Sequence, residues 1–253
     1  MRIKLLAIAA TAALVTVLTP GASEADHSWG TYHWARTSNP FTLQLGDNVS
    51  SAWDASLAVA SSDWSRSTVL DTTVVAGSTR PRNCKATAGR VEVCNATYGS
   101  NGWLGIASIS ITGGTHITQG TVKLNDTYFN TPTYNTAEWR NLVTCQEIGH
   151  TFGLDHQDEN FTNANLGTCM DYTNVPGTNQ HPNQHDYDQL ATIYSHLDSS
   201  TTVGAVAPAG KARVGNDASS WGRRVEGSRG AGHSTYVRDF GHGNLVITFV
   251  TWA

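Results

Sequence analysis

The chain has 253 residues, of which 39% are hydrophobic and only 14% charged, and its formal net charge is −4. Eight tryptophans and that apolar share argue against a disordered chain. A mild acidity without any basic run argues against nucleic-acid and anionic-membrane partners. The length suits one large domain, or one domain with an appendage.

Residues 1–25 read as a secretory signal peptide. Arg2 and Lys4 start it, residues 5–18 are apolar apart from Thr11 and Thr16, and Ser23 and Ala25 supply small residues at the cleavage positions. Its apolar run is short for a membrane span and is followed by Pro20-Gly21. The expectation is a secreted chain starting near Asp26, free of the membrane after signal removal. Losing Arg2, Lys4 and Glu24 takes the net charge from −4 to −5. In an oxidising compartment the four cysteines are expected to pair. Cys84 and Cys94 suit a small stapled loop, which would leave Cys145 to Cys169, although three connectivities are possible.

Along the mature chain, residues 32–36 and 41–45 read as short strands. Trp53, Leu57, Ala60 and Trp64 mark one face of a helix over 50–65. Strands are expected at 69–75, 90–93, 104–112 and 117–124, the last two turning at Gly113-Gly114. Asn135 opens a helix with Glu138 three residues on, running to Gly153. A loop-rich stretch covers 157–184. A last helix spans 186–197, with Leu190, Ile193, Tyr194 and Leu197 on one face. Residues 199–220 are rich in Ser, Ala, Gly and Thr and read as a linker. Residues 235–238 and 245–251 flank Gly241-His242-Gly243-Asn244 as a hairpin. The order makes a mixed α/β (α+β) domain and leaves the sheet topology open.

The chemistry concentrates in Gln146-Glu147-Ile148-Gly149-His150-Thr151-Phe152-Gly153-Leu154-Asp155-His156. Residues 146 and 150 share a helix face, with Glu147 beside them. Gly153 can adopt a positive φ, end the helix and swing His156 back to the same point. This is the layout H-E-x-x-H-x-x-G-x-x-H with Gln in the first place. Together with Gly167-Thr168-Cys169-Met170-Asp171-Tyr172, it resembles the metzincin metallopeptidases. The likeness runs over about 29–198. It is matrixin-like in its upper strands and helix, with a Met-x-Tyr turn similar to that of astacins and serralysins.

The resemblance implies a twisted mixed sheet, an active-site helix, a Met-turn and a closing helix, with 26–198 as the catalytic domain and 221–253 as a C-terminal hairpin extension. It implies a zinc endopeptidase that hydrolyses peptide bonds with metal-activated water. His150 and His156 match zinc ligands, Gln146 stands at the third ligand's place, and Glu147 matches the general base. Met170 matches the packing residue under the metal, and Tyr172 a donor to the developing oxyanion. Leu104, Gly105, Ile106 and Ala107 match an edge strand that pairs with an extended peptide, and Pro176 the wall of a specificity pocket. A Cys145–Cys169 bridge would tie the active-site helix to the Met-turn, and no cysteine-switch latency is expected.

Asp126, Asp158 and Glu159 are possible calcium ligands without a specific spacing. His116, His181, His185 and His196 are expected on the surface or in loops. Asn48, Asn95, Asn125 and Asn160 carry glycosylation sequons. The expected partner is an extended peptide or protein, and the expected state a monomer. Two other readings compete with the enzyme. One is a catalytically lapsed, peptide-binding pseudoprotease. The other puts the function in the C-terminal hairpin, as a wall- or glycan-binding module using Trp221, Tyr236 and Trp252.

Overall fold

Successive glycines at 113 and 114, with φ of 61° and 82°, make the turn on which the sheet is organised. They join β5 (Trp103–Thr112) to β6 (His116–Asn125) as an antiparallel pair. The computed structural model describes residues 27–206 and 214–253, so the expected signal segment lies outside the described residues. β1 (His33–Trp34) pairs with β6 in parallel. On the same side of β6, opposite β5, β4 (Val91–Ala96), β2 (Phe41–Asn48) and β3 (Leu70–Ala76) follow in that order, all parallel. The crossover from β2 to β3 is α1 (Asp54–Trp64), as parallel neighbours require. The resulting mixed sheet has nine strands, and the fold is the expected mixed α/β class.

β2 alternates buried and exposed residues in its first half, so one face meets the core. α1 and α3 (Ala137–His150) pack there. The Trp64 indole donates to Cys145 O at 3.1 Å and the Ser56 hydroxyl to Asn141 Oδ1 at 2.8 Å, joining the helices. α2 (Asp126–Phe129) is a single turn capped by the Asn125 side chain.

Helix boundaries differ from expectation where cap residues compete. α3 is capped by Thr136, whose hydroxyl accepts from Trp139 N, because the Asn135 carbonyl is taken by Arg140. α3 ends at His150, three residues before Gly153, in a turn whose amides bond to carbonyls three residues back. α4 (Gln184–Ile193) starts two residues early, at a capping box between Asn183 and Asp186. It ends before Leu197, which is exposed instead of facing the core.

The largest departure concerns the C-terminal region. The expected linker is strapped down at both described ends. Thr202 N donates to Ala35 O, and Lys123 Nζ donates to Val214 O and Asn216 Oδ1. The hairpin of β8 (His233–Asp239) and β9 (Leu245–Trp252) has a third strand, β7 (Arg223–Ser228), and β9 pairs along the whole of β5. The appendage is therefore a continuation of the sheet. Trp221 and Tyr236 are buried with Trp103, Ile106 and Val250 in a second apolar cluster, and Trp252 packs against it, so these aromatics do not form an exposed binding face. Asn48, Asn95 and Asn125 are also buried, leaving Asn160 as the exposed sequon of the four.

Both expected disulfides are present, Cys84–Cys94 and Cys145–Cys169, with no free cysteine. No helix among the described residues is long and apolar enough to cross a membrane. Gly153 has φ of 95°, and a Cβ there would meet Tyr32 O at 2.2 Å. Gly153→Ala is expected to destabilise the fold by about 2 kcal/mol or more, read as a lower denaturation midpoint with an unchanged slope.

Candidate functional site

The last turns of α3 bury Gln146, Glu147 and His150, and the turn at 151–153 returns the chain so that His156 meets them. The His150 and His156 rings lie 4.5 Å apart between centroids at 79°. His150 Nδ1 sits 2.9 Å from Leu154 O. A carbonyl only accepts, so this nitrogen carries the hydrogen and Nε2 offers a lone pair. Burial, reinforced by neighbouring His156, pushes the His150 imidazole down to about 3, which keeps it neutral. His150 Nε2, His156 Nε2 and Glu147 Oε2 are all buried without a hydrogen-bond partner.

The segment 169–172 closes under this group. A Cβ on Gly149 would lie 2.7 Å from Met170 Sδ, so the glycine permits the approach. Gln157 N donates to Met170 O at 2.7 Å, and Cys145–Cys169 fixes the turn to α3. The buried Tyr172 ring lies 4.1 Å from His156. Burial and nearby carboxylates, Glu147 first, raise its phenol well above the usual range, so it remains a donor.

Gln146 does not point a free amide atom at the histidines. Its Nε2 donates to Cys169 O at 3.0 Å, and its Oε1 lies 3.0 Å from the Thr251 hydroxyl. The same hydroxyl is 2.7 Å from Glu147 Oε1. One hydroxyl hydrogen is shared between two acceptors, the Gln146 and Glu147 side-chain oxygens. Burial pushes the Glu147 carboxyl up to about 8, against the opposing hydrogen bonds from Thr251 and Ala107. The Thr251 hydroxyl donates toward both oxygens and ties the two side chains to β9.

Thr251 comes from β9, and this corrects the expected substrate strand. Leu104, Gly105, Ile106 and Ala107 do not form a free edge. β5 pairs with β6 on one side and β9 on the other, with Gly105 opposite Thr251 and Ala107 opposite Phe249. Phe249 stacks on His150 at 4.3 Å and 4°. The chain's own strand therefore lies where an extended peptide was expected. Gly105 remains essential to the packing, because a Cβ there would meet Glu147 Oε1 at 2.4 Å. A cleft of about 300 Å³ remains beside Gln146, walled by Leu104, Trp139, Val143, Thr173, Asn174 and the terminal Trp252 and Ala253. Pro176 is buried at the start of a 3-10 turn, and Thr173 and Asn174 take its expected place in the wall.

Sequence reasoning missed Phe249, Thr251 and His233, which sit on strands with no local motif. His233 Nε2 lies 3.1 Å from Glu159 Oε1, and its ring stacks on Tyr172 at 4.7 Å. Of the other calcium candidates, Asp126 accepts from Trp53 and Asn95, and Asp158 from Asn160 N.

No family model and no curated protein matches the chain. Among solved structures it is similar to myroilysin in two structures. In one, identity is 11% over 67% of this chain and 98% of that chain, with a TM-score of 0.39. In the other, identity is 13% over 70% and 98%, with a TM-score of 0.36. It is also similar to high choriolytic enzyme 1, a hatching enzyme zinc-protease from the medaka fish Oryzias latipes. There identity is 11% over 66% and 96%, and the TM-score 0.35. At these scores the functional reading has to come from the side chains themselves.

Thr251→Val removes the hydroxyl on which two buried polar groups depend. It is expected to cost about 1–3 kcal/mol, measured by chemical denaturation, against near-neutrality for Thr68→Val at the surface.

Proposed function

We propose that the chain is a secreted zinc-dependent endopeptidase whose centre is closed by its own C-terminal strand. The observation that carries this reading is the pairing of His150 and His156, ring centroids 4.5 Å apart with both Nε2 atoms buried and unpartnered, at the same helix end as Glu147, whose Oε2 is also buried and unpartnered. An unsatisfied buried polar atom costs about 1–3 kcal/mol, so three together are an expensive arrangement for mere packing. Imidazole nitrogens are ligands that zinc accepts readily, so the pair fits that ion.

His150 and His156 would hold the metal. Bound there, zinc supplies Lewis-acid polarisation and makes a water nucleophilic near neutral pH. A dication beside Glu147 favours the ionised carboxylate and opposes the effect of burial. Glu147 then accepts a proton from the attacking water and returns it to the leaving amine. Tyr172, kept protonated, donates to the carbonyl oxygen as negative charge develops on it. The Leu154 carbonyl orients His150 and fixes its tautomer. The substrate is an extended peptide or protein, and it gains access when β9 leaves β5.

A second reading, the lapsed centre acting as a peptide- or protein-binding module, is favoured by one observation. Both ends of the Gln146 amide are engaged elsewhere.

Zinc content of the purified protein, and peptide cleavage with and without chelator, separate the two readings. Glu147→Ala is expected to lower chelator-sensitive cleavage by about 10²–10⁴-fold. Gln146→His is expected to raise zinc affinity if a third imidazole is what the centre lacks. Phe249→Ala with Thr251→Ala is expected to raise cleavage about tenfold for every ~1.4 kcal/mol of β9 contact removed. A protein that takes up no zinc at His150 and His156, and shows no cleavage, leaves the binding module as the surviving reading.

A further inference from the structure

Three histidines far apart in sequence converge on one carboxylate. The parallel register of β1 on β6 sets His33 opposite His116, and their rings lie 5.0 Å apart. After α4 the chain returns, Asp198 N donates to Arg36 O at 2.9 Å, and His196 joins the group with its ring 4.6 Å from His33. Asp198 Oδ2 is held by the Arg36 backbone N–H at 3.1 Å and by the guanidinium at 3.0 Å. Its other oxygen, Oδ1, faces the histidines. It lies 3.2 Å from His116 Nε2, 3.5 Å from His33 Nε2 and 3.8 Å from His196 Nε2. His33 Nε2 and His196 Nε2 are 3.2 Å apart.

The separations among His33 Nε2, His196 Nε2 and Asp198 Oδ1, 3.2 to 3.8 Å, match three edges of a tetrahedron around zinc, about 3.4 Å for bonds of about 2.1 Å, and His116 Nε2 approaches the same carboxylate oxygen. The proton inventory points the same way. His33 Nδ1 lies 2.8 Å from Thr31 O, which only accepts, so Nδ1 carries the hydrogen. His33 Nε2 is then the ring atom that faces Asp198 Oδ1 and His196 Nε2, and a cation among these three atoms would bond to each. Arg36 on Oδ2 and Thr31 O on Nδ1 are the outer partners that orient metal ligands.

We propose that His33, His196 and Asp198, with His116 beside Asp198 as the fourth donor, form a structural site for a divalent transition metal, with zinc as the preferred ion. It is separate from the centre at His150 and His156. The metal would fasten the segment after α4 to β1 and β6, and the half-exposed His196 leaves a route of entry.

The test uses the full chain carrying His150→Ala and His156→Ala, which removes the other centre whatever its function. After chelator treatment, the protein is titrated with zinc by calorimetry and with cobalt(II) by visible absorption. The expected result is one zinc per chain, a raised Tm and the intense visible bands of tetrahedral cobalt. His196→Ala is expected to weaken zinc binding by about a hundredfold or more. Because His196 is half exposed, circular dichroism of the metal-free variant should match its parent. His116→Ala serves as the second variant should His196→Ala misfold. Absence of zinc binding in the double variant overturns the proposal, and so does binding that neither substitution weakens. Hydrogen bonding alone would then account for the cluster.

Discussion

The pairing of β9 along β5 is the constraint on which the rest of this structure depends. Without it, β5 would present a row of unpaired amides and carbonyls, a template for any extended chain. With it, the sheet gains three further strands, and the second apolar cluster around Trp103 and Trp221 has its roof. The same register delivers Phe249 to the face of His150 and the Thr251 hydroxyl to Gln146 and Glu147. One ladder thus sets the extent of the sheet and the surroundings of the His150 and Glu147 side chains.

The ladder also ties stability to function. A peptide added to β5 would have to replace backbone bonds already made within the chain. Its binding free energy is reduced by the work of displacing β9. Phe249 and Thr251 add side-chain contacts to that work, and they touch the residues proposed to do chemistry. Closure of the centre is therefore specific. The occluding strand satisfies Gln146 and one oxygen of Glu147, while His150 Nε2, His156 Nε2 and Glu147 Oε2 remain unpartnered.

Most local structure was legible because it follows short-range rules. The helix face of Trp53, Leu57, Ala60 and Trp64 and the Gly113-Gly114 turn required only spacing, whereas the choice among three cysteine pairings is made by the fold. Boundaries slipped where two residues competed for a cap, as Asn135 and Thr136 do at α3. Arg140, five residues on, decided that contest by occupying Asn135. The C-terminal hairpin was readable as a hairpin, but its partner strand was not, since β5 and β9 lie some 140 residues apart in sequence. The resemblance places residues 104–107 on a free edge, and no local signal in 245–252 reveals that this strand covers it. The fate of Gln146 was hidden for the same reason, because its partner Thr251 is 105 residues away.

The two histidine groups differ in a way that bears on what each can do. His150 and His156 lie on a helix end and its return turn, sealed from solvent and next to a carboxyl whose proton affinity burial raises. A charge placed there is desolvated, and its effect on neighbouring groups is strong. That suits chemistry and makes access the controlling variable. His33, His116 and His196 surround an ionised carboxylate that Arg36 already neutralises in part, at a site open on one side. A cation bound there gains a closed set of protein ligands with no position reserved for substrate, which is the arrangement of structural sites. The segment it would fasten follows α4 and leads toward the strands that cover β5. Metal at the second group would therefore act on the first only through the fold.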